Sequence, residues 1–158
     1  MKCKRGDTLR TVLAVNRFVD QIVRDRDYPC ANRYNSVRTA ADILEENIPG
    51  PRGWQLRTMY ILNRELAHRE DAVSLIPLVQ EQFGQEVASV FSEGIDKWNG
   101  HSRTFLPTSS VNFKVIHLAE ILNGRYLWGN PDFVLNPCLR GVCPVLEGKI
   151  DQWVAEHR

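Results

Sequence analysis

Residues 109–124 constrain the fold of this chain more than any other segment. Their apolar side chains fall on all sides of a helical projection, at Val111, Phe113, Val115, Ile116, Leu118, Ala119, Ile121 and Leu122. A helix that is apolar on nearly every side has to be covered by other elements. We therefore expect a central, buried helix, capped by Thr108, Ser109 or Ser110. Asn123-Gly124 suits a left-handed stop at its end.

Helical spacing of apolar residues predicts five further helices, at residues 8–27, 37–46, 54–70, 72–91 and 144–156. Pro77 and Gly84 should kink or split the fourth of these. We expect irregular connections at 28–35, at 48–53, where two prolines and two glycines disfavour regular structure, and at 92–107. The sequence therefore predicts an all-α fold. It consists of one domain spanning residues 1–158, with five to seven helices around the helix at 109–123.

Composition and length favour an ordinary globular protein. A chain of 158 residues is long enough to bury a core, and 43% hydrophobic with 25% charged residues argues against disorder. We see no apolar run of membrane-spanning length and no secretory signal at the amino terminus. Four scattered cysteines do not form a disulfide framework. We therefore expect a cytoplasmic protein.

Charge is distributed unevenly along the chain. Residues 1–69 contain 13 Lys and Arg against 8 Asp and Glu, whereas residues 70–158 contain 7 against 11. Arginine and aromatic residues alternate in the basic half, at Arg33, Tyr34, Arg38, Arg52, Trp54, Arg57, Tyr60 and Arg64. Proteins bind single-stranded nucleic acid with this combination, in which arginines contact phosphates and aromatic rings stack on bases. Arginines on solvated helix faces, or pairing of the basic half of the fold with its acidic half, would also account for this charge distribution.

Three groups of residues raise the possibility of metal binding. Glu65-x-x-His68 and its reverse, His117-x-x-Glu120, have the spacing found in dimetal helical bundles, but the bridging carboxylates are not evident. Cys138 and Cys143 could bind zinc together with His117 and His157, although their spacing is longer than that of a usual zinc knuckle. Packed, uncharged cysteines are the alternative. We therefore assign no metal ligand and no cofactor.

A line of polar residues interrupts the apolar surface of the central helix at Lys114, His117, Glu120 and Asn123. Facing a cleft, His117 and Glu120 would have the geometry of a general base and the residue that orients it. Facing water, the line would be the exposed edge of the helix. The sequence supplies no nucleophile or oxyanion feature beside it, which favours the exposed edge.

The sequence thus favours a non-catalytic helical protein that acts by binding, as an adaptor, an inhibitor or a self-assembling subunit. A protein partner or a second copy is the expected ligand, with RNA or single-stranded DNA as the alternative. We expect the binding surface to combine the turn at 48–54, the loop at 98–105 and the arginine faces of the first and third helices. The predicted binding residues are Arg33, Tyr34, Arg38, Arg52, Trp54, Arg57, Arg64, Trp98, His101 and Arg103.

Overall fold

The computed structural model of the chain describes residues 5–28, 36–99 and 109–158, and all the regular structure in these ranges is helical. Seven α-helices are present there: α1 (Arg5–Asp25), α2 (Ser36–Asn47), α3 (Pro51–Leu66), α4 (Ile76–Phe83), α5 (Gln85–Asn99), α6 (Val111–Trp128) and α7 (Pro144–His157). Short 3-10 helices lie at Ala72–Leu75 and Pro137–Leu139. The predicted all-α fold of five to seven helices is confirmed.

The turn between α2 and α3 is shorter than predicted, because α3 already begins at Pro51. Proline is well tolerated at the first helical position, where its missing N–H would have had no partner in the helix. Gly50 reverses the chain with a φ of 82°, a conformation that disfavours other residues. Residues 51–53 are therefore helical, and the expectation of an irregular connection holds only for residues 48–50.

Two other helix ends differ from the prediction. α5 continues to Asn99, so residues 92–99 are helical and not part of a long connection; Gly94 and Ile95 are buried there. α6 continues through Gly124 to Trp128, and Gly129 follows with a φ of −62°, which is not a left-handed stop. One glycine costs a helix only about 1 kcal/mol, so tertiary packing decides where α6 ends. The predicted break at Gly84 is confirmed, with a φ of 96° between α4 and α5.

Two helices share the centre of the molecule. α6 packs against α2, α3, α5 and α7, as its apolar surface predicted, but α3 is equally central and contacts α1, α2, α5 and α6. α3 has buried side chains on nearly all sides, and four of its largest are almost inaccessible to solvent: Leu56, Met59, Leu62 and Leu66. The core is therefore built around two helices, α3 and α6, which also contact each other.

α3 and α5 run parallel in a fixed register. Gln55 donates a hydrogen bond to Glu86 at 3.1 Å, and the rings of His68 and Trp98 lie 5.5 Å apart at the other end. Between these contacts the helices approach so closely that a Cβ on Gly94 would lie 1.5 Å from Oδ1 of Asn63. A larger residue at position 94 would have to displace the Asn63 side chain from its place between α3 and α5.

α6 is attached to α5 by hydrogen bonds at its amino terminus. Ser110 caps α6 by accepting from the Phe113 N–H at 3.2 Å, so one of the three predicted caps is confirmed. The Ser110 N–H and hydroxyl both donate to the Glu93 carboxylate, and Lys97 donates to the Ser109 hydroxyl at 2.8 Å. None of the described helices is long and apolar enough to span a membrane.

Gly53 provides a test of how tightly the turn between α2 and α3 is packed. An added Cβ would lie 2.0 Å from the carbonyl oxygen of Ile48, which is backbone and cannot move aside. We expect Gly53→Ala to lower the free energy of unfolding by about 1–3 kcal/mol in denaturant titrations. The matched control is Gly148→Ala in α7, where the added Cβ meets no described atom within 4 Å. That variant should be more stable by about 0.5–1 kcal/mol. Equal stabilisation by both would contradict the close contact.

Candidate functional site

An apolar cleft lies at the amino-terminal end of α3, where α3 meets the junction of α4 and α5. Its volume is about 260 Å³, and it is lined by Pro51, Trp54, Gln55, Thr58, Phe83 and Val87. Trp54 is one of the predicted binding residues, and exposed Arg52 lies in the same helical turn. Of the predicted surface at residues 48–54, Pro51 and Trp54 line this cleft.

Local sequence features build the walls of this cleft. Trp54 and Thr58 lie four residues apart and therefore share one side of α3. Gly84 separates α4 from α5, so that Phe83 ends one helix and Val87 lies in the first turn of the next. The Phe83 ring is held from behind by Phe18 of α1, edge to face at 5.2 Å. Such aromatic pairs add to the energy of simple burial.

A hydrogen-bonded rim joins the three helices around the cleft. The Glu86 carboxylate of α5 accepts from Gln55 of α3 at 3.1 Å and from Asn112 of α6 at 3.0 Å. These exposed hydrogen bonds link α3, α5 and α6 beside the cleft. The cleft is present without a ligand, and a preformed site reduces the entropy lost on binding.

Arg57 does not lie on the surface, contrary to its predicted place in an arginine face of α3. Only 7% of the residue is exposed, because α2 packs over this side of α3. The nearest carboxylate oxygen belongs to Glu45 of α2, 3.8 Å from Nε. Within the described part of the chain, Nε and Nη1 have no hydrogen-bond partner. Arg57 is thus a buried cation with weak compensation.

The other predicted residues are spread over the molecule. Arg64 is exposed near the carboxyl end of α3, about 18 Å along the helix axis from Arg52. Trp98 is 47% exposed and contacts His68, also at that far end. The structure therefore does not combine Trp54 and Trp98 into one surface. The remaining predicted residues lie outside the described residues, or have side chains outside them: Arg33, Tyr34, Arg38, His101 and Arg103.

The polar line on α6 faces the interior, so its interpretation as an exposed edge is wrong. Lys114 and Asn123 are buried, with 9% and 6% exposed, and His117 and Glu120 are half-buried. The cause is the packing of α2, α3, α5 and α7 around α6, which covers much of this side of the helix. Burial, and then the nearby Lys97 ammonium, lowers the pKa of His117 to about 4. His117 is therefore neutral near pH 7.

The described residues give no geometric support to the metal hypotheses. Among them, no three His, Cys, Asp or Glu side chains lie close enough together to hold a metal ion. Cys138 and Cys143 are both free and half-buried. Glu65, from the first of the two acid–histidine pairs, is buried in the core with 3% exposed.

No protein-family model matches this chain, and neither the curated proteins nor the solved structures include a significant match. Any function must therefore be argued from the residues and geometry of the chain itself.

Sequence reasoning found one wall of the cleft and missed the others. Trp54 is a predicted binding residue, whereas Phe83 and Val87 fall within the predicted helix at 72–91, which Pro77 and Gly84 are expected to kink or split. Gly84 predicts the break between the two helices, but the sequence does not show that a cleft forms beside it. The break in the helix at Gly84 places Phe83 and Val87 on different helices. A concave surface can form between the ends of two such helices.

Burial of His117 predicts a dependence of stability on pH. The unfolded chain, with a histidine pKa of 6.5, binds more protons than the folded chain between pH 6.5 and about 4. Acidification through this range therefore favours unfolding. Since each pKa unit corresponds to about 1.4 kcal/mol, we expect a loss of roughly 3 kcal/mol from this group between pH 7 and pH 4.

Carboxylates also destabilise the fold at low pH. The contribution of His117 is therefore isolated by comparing the wild type with His117→Asn. Denaturant unfolding followed by far-UV circular dichroism at pH 7, 5.5 and 4 should show a smaller loss in the variant than in the wild type. The control variant His68→Asn should still show the loss of stability that comes from His117. Identical pH profiles for wild type and His117→Asn would show that the imidazole is not buried in its neutral form.

Proposed function

We propose that this protein is a non-catalytic binding protein whose cleft takes one apolar side chain from a protein partner. The observation that carries the proposal is the preformed cleft lined by Trp54, Phe83 and Val87. The sparse cysteines, of which Cys138 and Cys143 are free, are in keeping with a reducing, cytoplasmic location.

The size of the cleft supports a side chain as its ligand. A cavity of about 150 Å³ holds a benzene molecule, whereas pockets for drug-sized ligands range over roughly 300–1,000 Å³. The present cleft, at about 260 Å³, fits between these values. A large apolar side chain of a partner, such as Phe, Leu, Met or Trp, is of a size to occupy it.

The energetics of interfaces support the same assignment. Burying one large apolar side chain contributes about 1.5–3 kcal/mol, and such anchors in well-packed pockets carry most of the energy of many protein interfaces. Trp and Arg are enriched among these residues. Trp54 is therefore suited to the centre of a contact surface, and exposed Arg52 is suited to its edge.

The described residues favour a protein partner over nucleic acid. Of the three arginines proposed on α3, Arg57 is buried and the other two lie at opposite ends of the helix. Phosphate contacts spaced this far apart do not form a compact basic patch. The nucleic-acid hypothesis therefore depends on residues outside the described ranges, and it becomes one outcome of the test below.

The proposal is tested by selecting binders from a random peptide library on the purified full chain. We expect the selected peptides to share one apolar anchor residue. Trp54→Ala, which removes a wall of the cleft, should weaken their binding in fluorescence polarisation by roughly tenfold or more. Thr58→Met should have a similar effect, because the longer side chain occupies the cleft while Trp54 is retained.

Two further variants and one further ligand make the test specific. Tyr126→Ala removes an exposed aromatic ring at the end of α6 and should leave affinity unchanged. If Trp98→Ala weakened binding and Trp54→Ala did not, the site would be at the opposite end of α3. Labelled single-stranded RNA is the competing ligand. Tight, salt-sensitive RNA binding that is lost in an Arg52→Ala, Arg64→Ala double variant would overturn the proposal.

A further inference from the structure

The Glu86 carboxylate lies at the edge of the apolar cleft and is exposed to solvent. Gln55, which lines the cleft, donates a hydrogen bond to Oε2 at 3.1 Å, and Asn112 of α6 donates to Oε1 at 3.0 Å. Val87, the next residue of α5, is part of the lining. A group bound at Glu86 would therefore lie within reach of a residue seated in the cleft.

Both donors to this carboxylate are neutral amides, so its negative charge is not matched by a cation. None of the ion pairs within the described ranges involves Glu86. Each carboxylate oxygen has two lone pairs that can accept hydrogen bonds. One amide donates to each oxygen, which leaves one accepting position on each for a further donor.

The chain on this side of the cleft supplies no positive side chain of its own. Residues 70–96, which include α4 and most of α5, contain six Asp and Glu and no Lys, Arg or His. Two of the six have partners elsewhere in the fold, since Asp71 pairs with Arg26 and Glu93 accepts from the Ser110 N–H. The wall that α4 and α5 contribute to the cleft therefore favours a cation in the partner.

From these features we infer that the partner carries a basic side chain, Arg or Lys, next to its apolar anchor, and that Glu86 binds it. The inference rests on the proposed function, because the anchor in the cleft is what holds the partner against Glu86. A guanidinium suits the two accepting positions best, since its N–H groups can donate to both oxygens of one carboxylate. Arg52 is exposed beside Pro51 on the α3 wall, so the partner's cation belongs on the α5 side.

The hydrogen bonds to Glu86 also make such a pair more favourable than an ordinary surface ion pair. Exposed ion pairs contribute little, partly because two long side chains lose their freedom when they meet. Hydrogen bonds from α3 and α6 already orient the Glu86 side chain, so less freedom is lost on binding. A charge at the edge of an interface acts chiefly on the association rate and on the salt dependence of binding.

The test measures the binding of three synthetic peptides to the full chain by fluorescence polarisation at low ionic strength. The first has one Phe with an Arg on either side in a Gly and Ser background. The second replaces Arg with citrulline, its neutral counterpart, and the third keeps Arg but replaces Phe with Gly. We expect citrulline to weaken binding roughly two- to fivefold. Loss of Phe should weaken it roughly tenfold or more.

Glu86→Gln keeps the shape of the side chain and one acceptor oxygen, so the fold should be retained. It should weaken binding of the Arg–Phe peptide by the same factor as citrulline does and leave the citrulline peptide unchanged. The matched control is Glu81→Gln, which removes the same charge from an exposed position in α4. Glu81 lies two residues before Phe83 and therefore on nearly the opposite side of that helix, so this variant should have little effect.

Equal binding of the Arg–Phe and citrulline peptides would overturn the inference. Equal losses in Glu86→Gln and Glu81→Gln would also overturn it, because they would indicate a general field and not a pair. Trp54→Ala, which tests the cleft itself, should weaken both Phe peptides. If it does so while citrulline has no effect, the proposed function stands and the cation site fails. If neither Phe peptide binds the wild type, both fail.

Discussion

The burial of α3 on almost all of its sides is the constraint on which the rest of this structure depends. Four helices contact it, and two glycines lie at its close contacts: Gly53 beside the Ile48 carbonyl of the turn from α2, and Gly94 beside the Asn63 side chain. Helices that pack this closely cannot shift by one residue along each other. The register of α5 along α3, and hence the place where α4 and α5 meet the start of α3, follows from these contacts.

One consequence is that polar side chains of the two central helices become enclosed. Arg57 and Glu65 of α3, and Lys114 and Asn123 of α6, are all buried. Buried polar groups require hydrogen-bond partners, and ionised groups require paired charges or a shifted pKa. His117 takes the second course and stays neutral, whereas Arg57 cannot lose its proton. Arg57 therefore stays charged, with the Glu45 carboxylate 3.8 Å from its Nε.

The fold class was predictable because the helical spacing of apolar residues can be recognised in the sequence without knowing which residues are in contact. The ends of the helices were less predictable. Residues 51–53 and 92–99 contain glycine or proline and still form helix, since packing against α2 and α3 outweighs their low propensity. The site was predictable only in part. Trp54 was identified, but the burial of Arg57 depends on α2, which lies next to it in space and not in any sequence pattern.

The central claim is that the cleft beside Trp54 is a preformed receptor for an apolar side chain. Toluene, as a minimal side-chain mimic, tests it most directly in an NMR titration of the full chain with selectively labelled methyl groups and indole nitrogens. The account predicts a saturable shift of the Trp54 indole N–H, together with contacts between toluene protons and the methyl groups of Val87 and Thr58. No shift at Trp54, or contacts confined to Trp98 at the opposite end of α3, would contradict it.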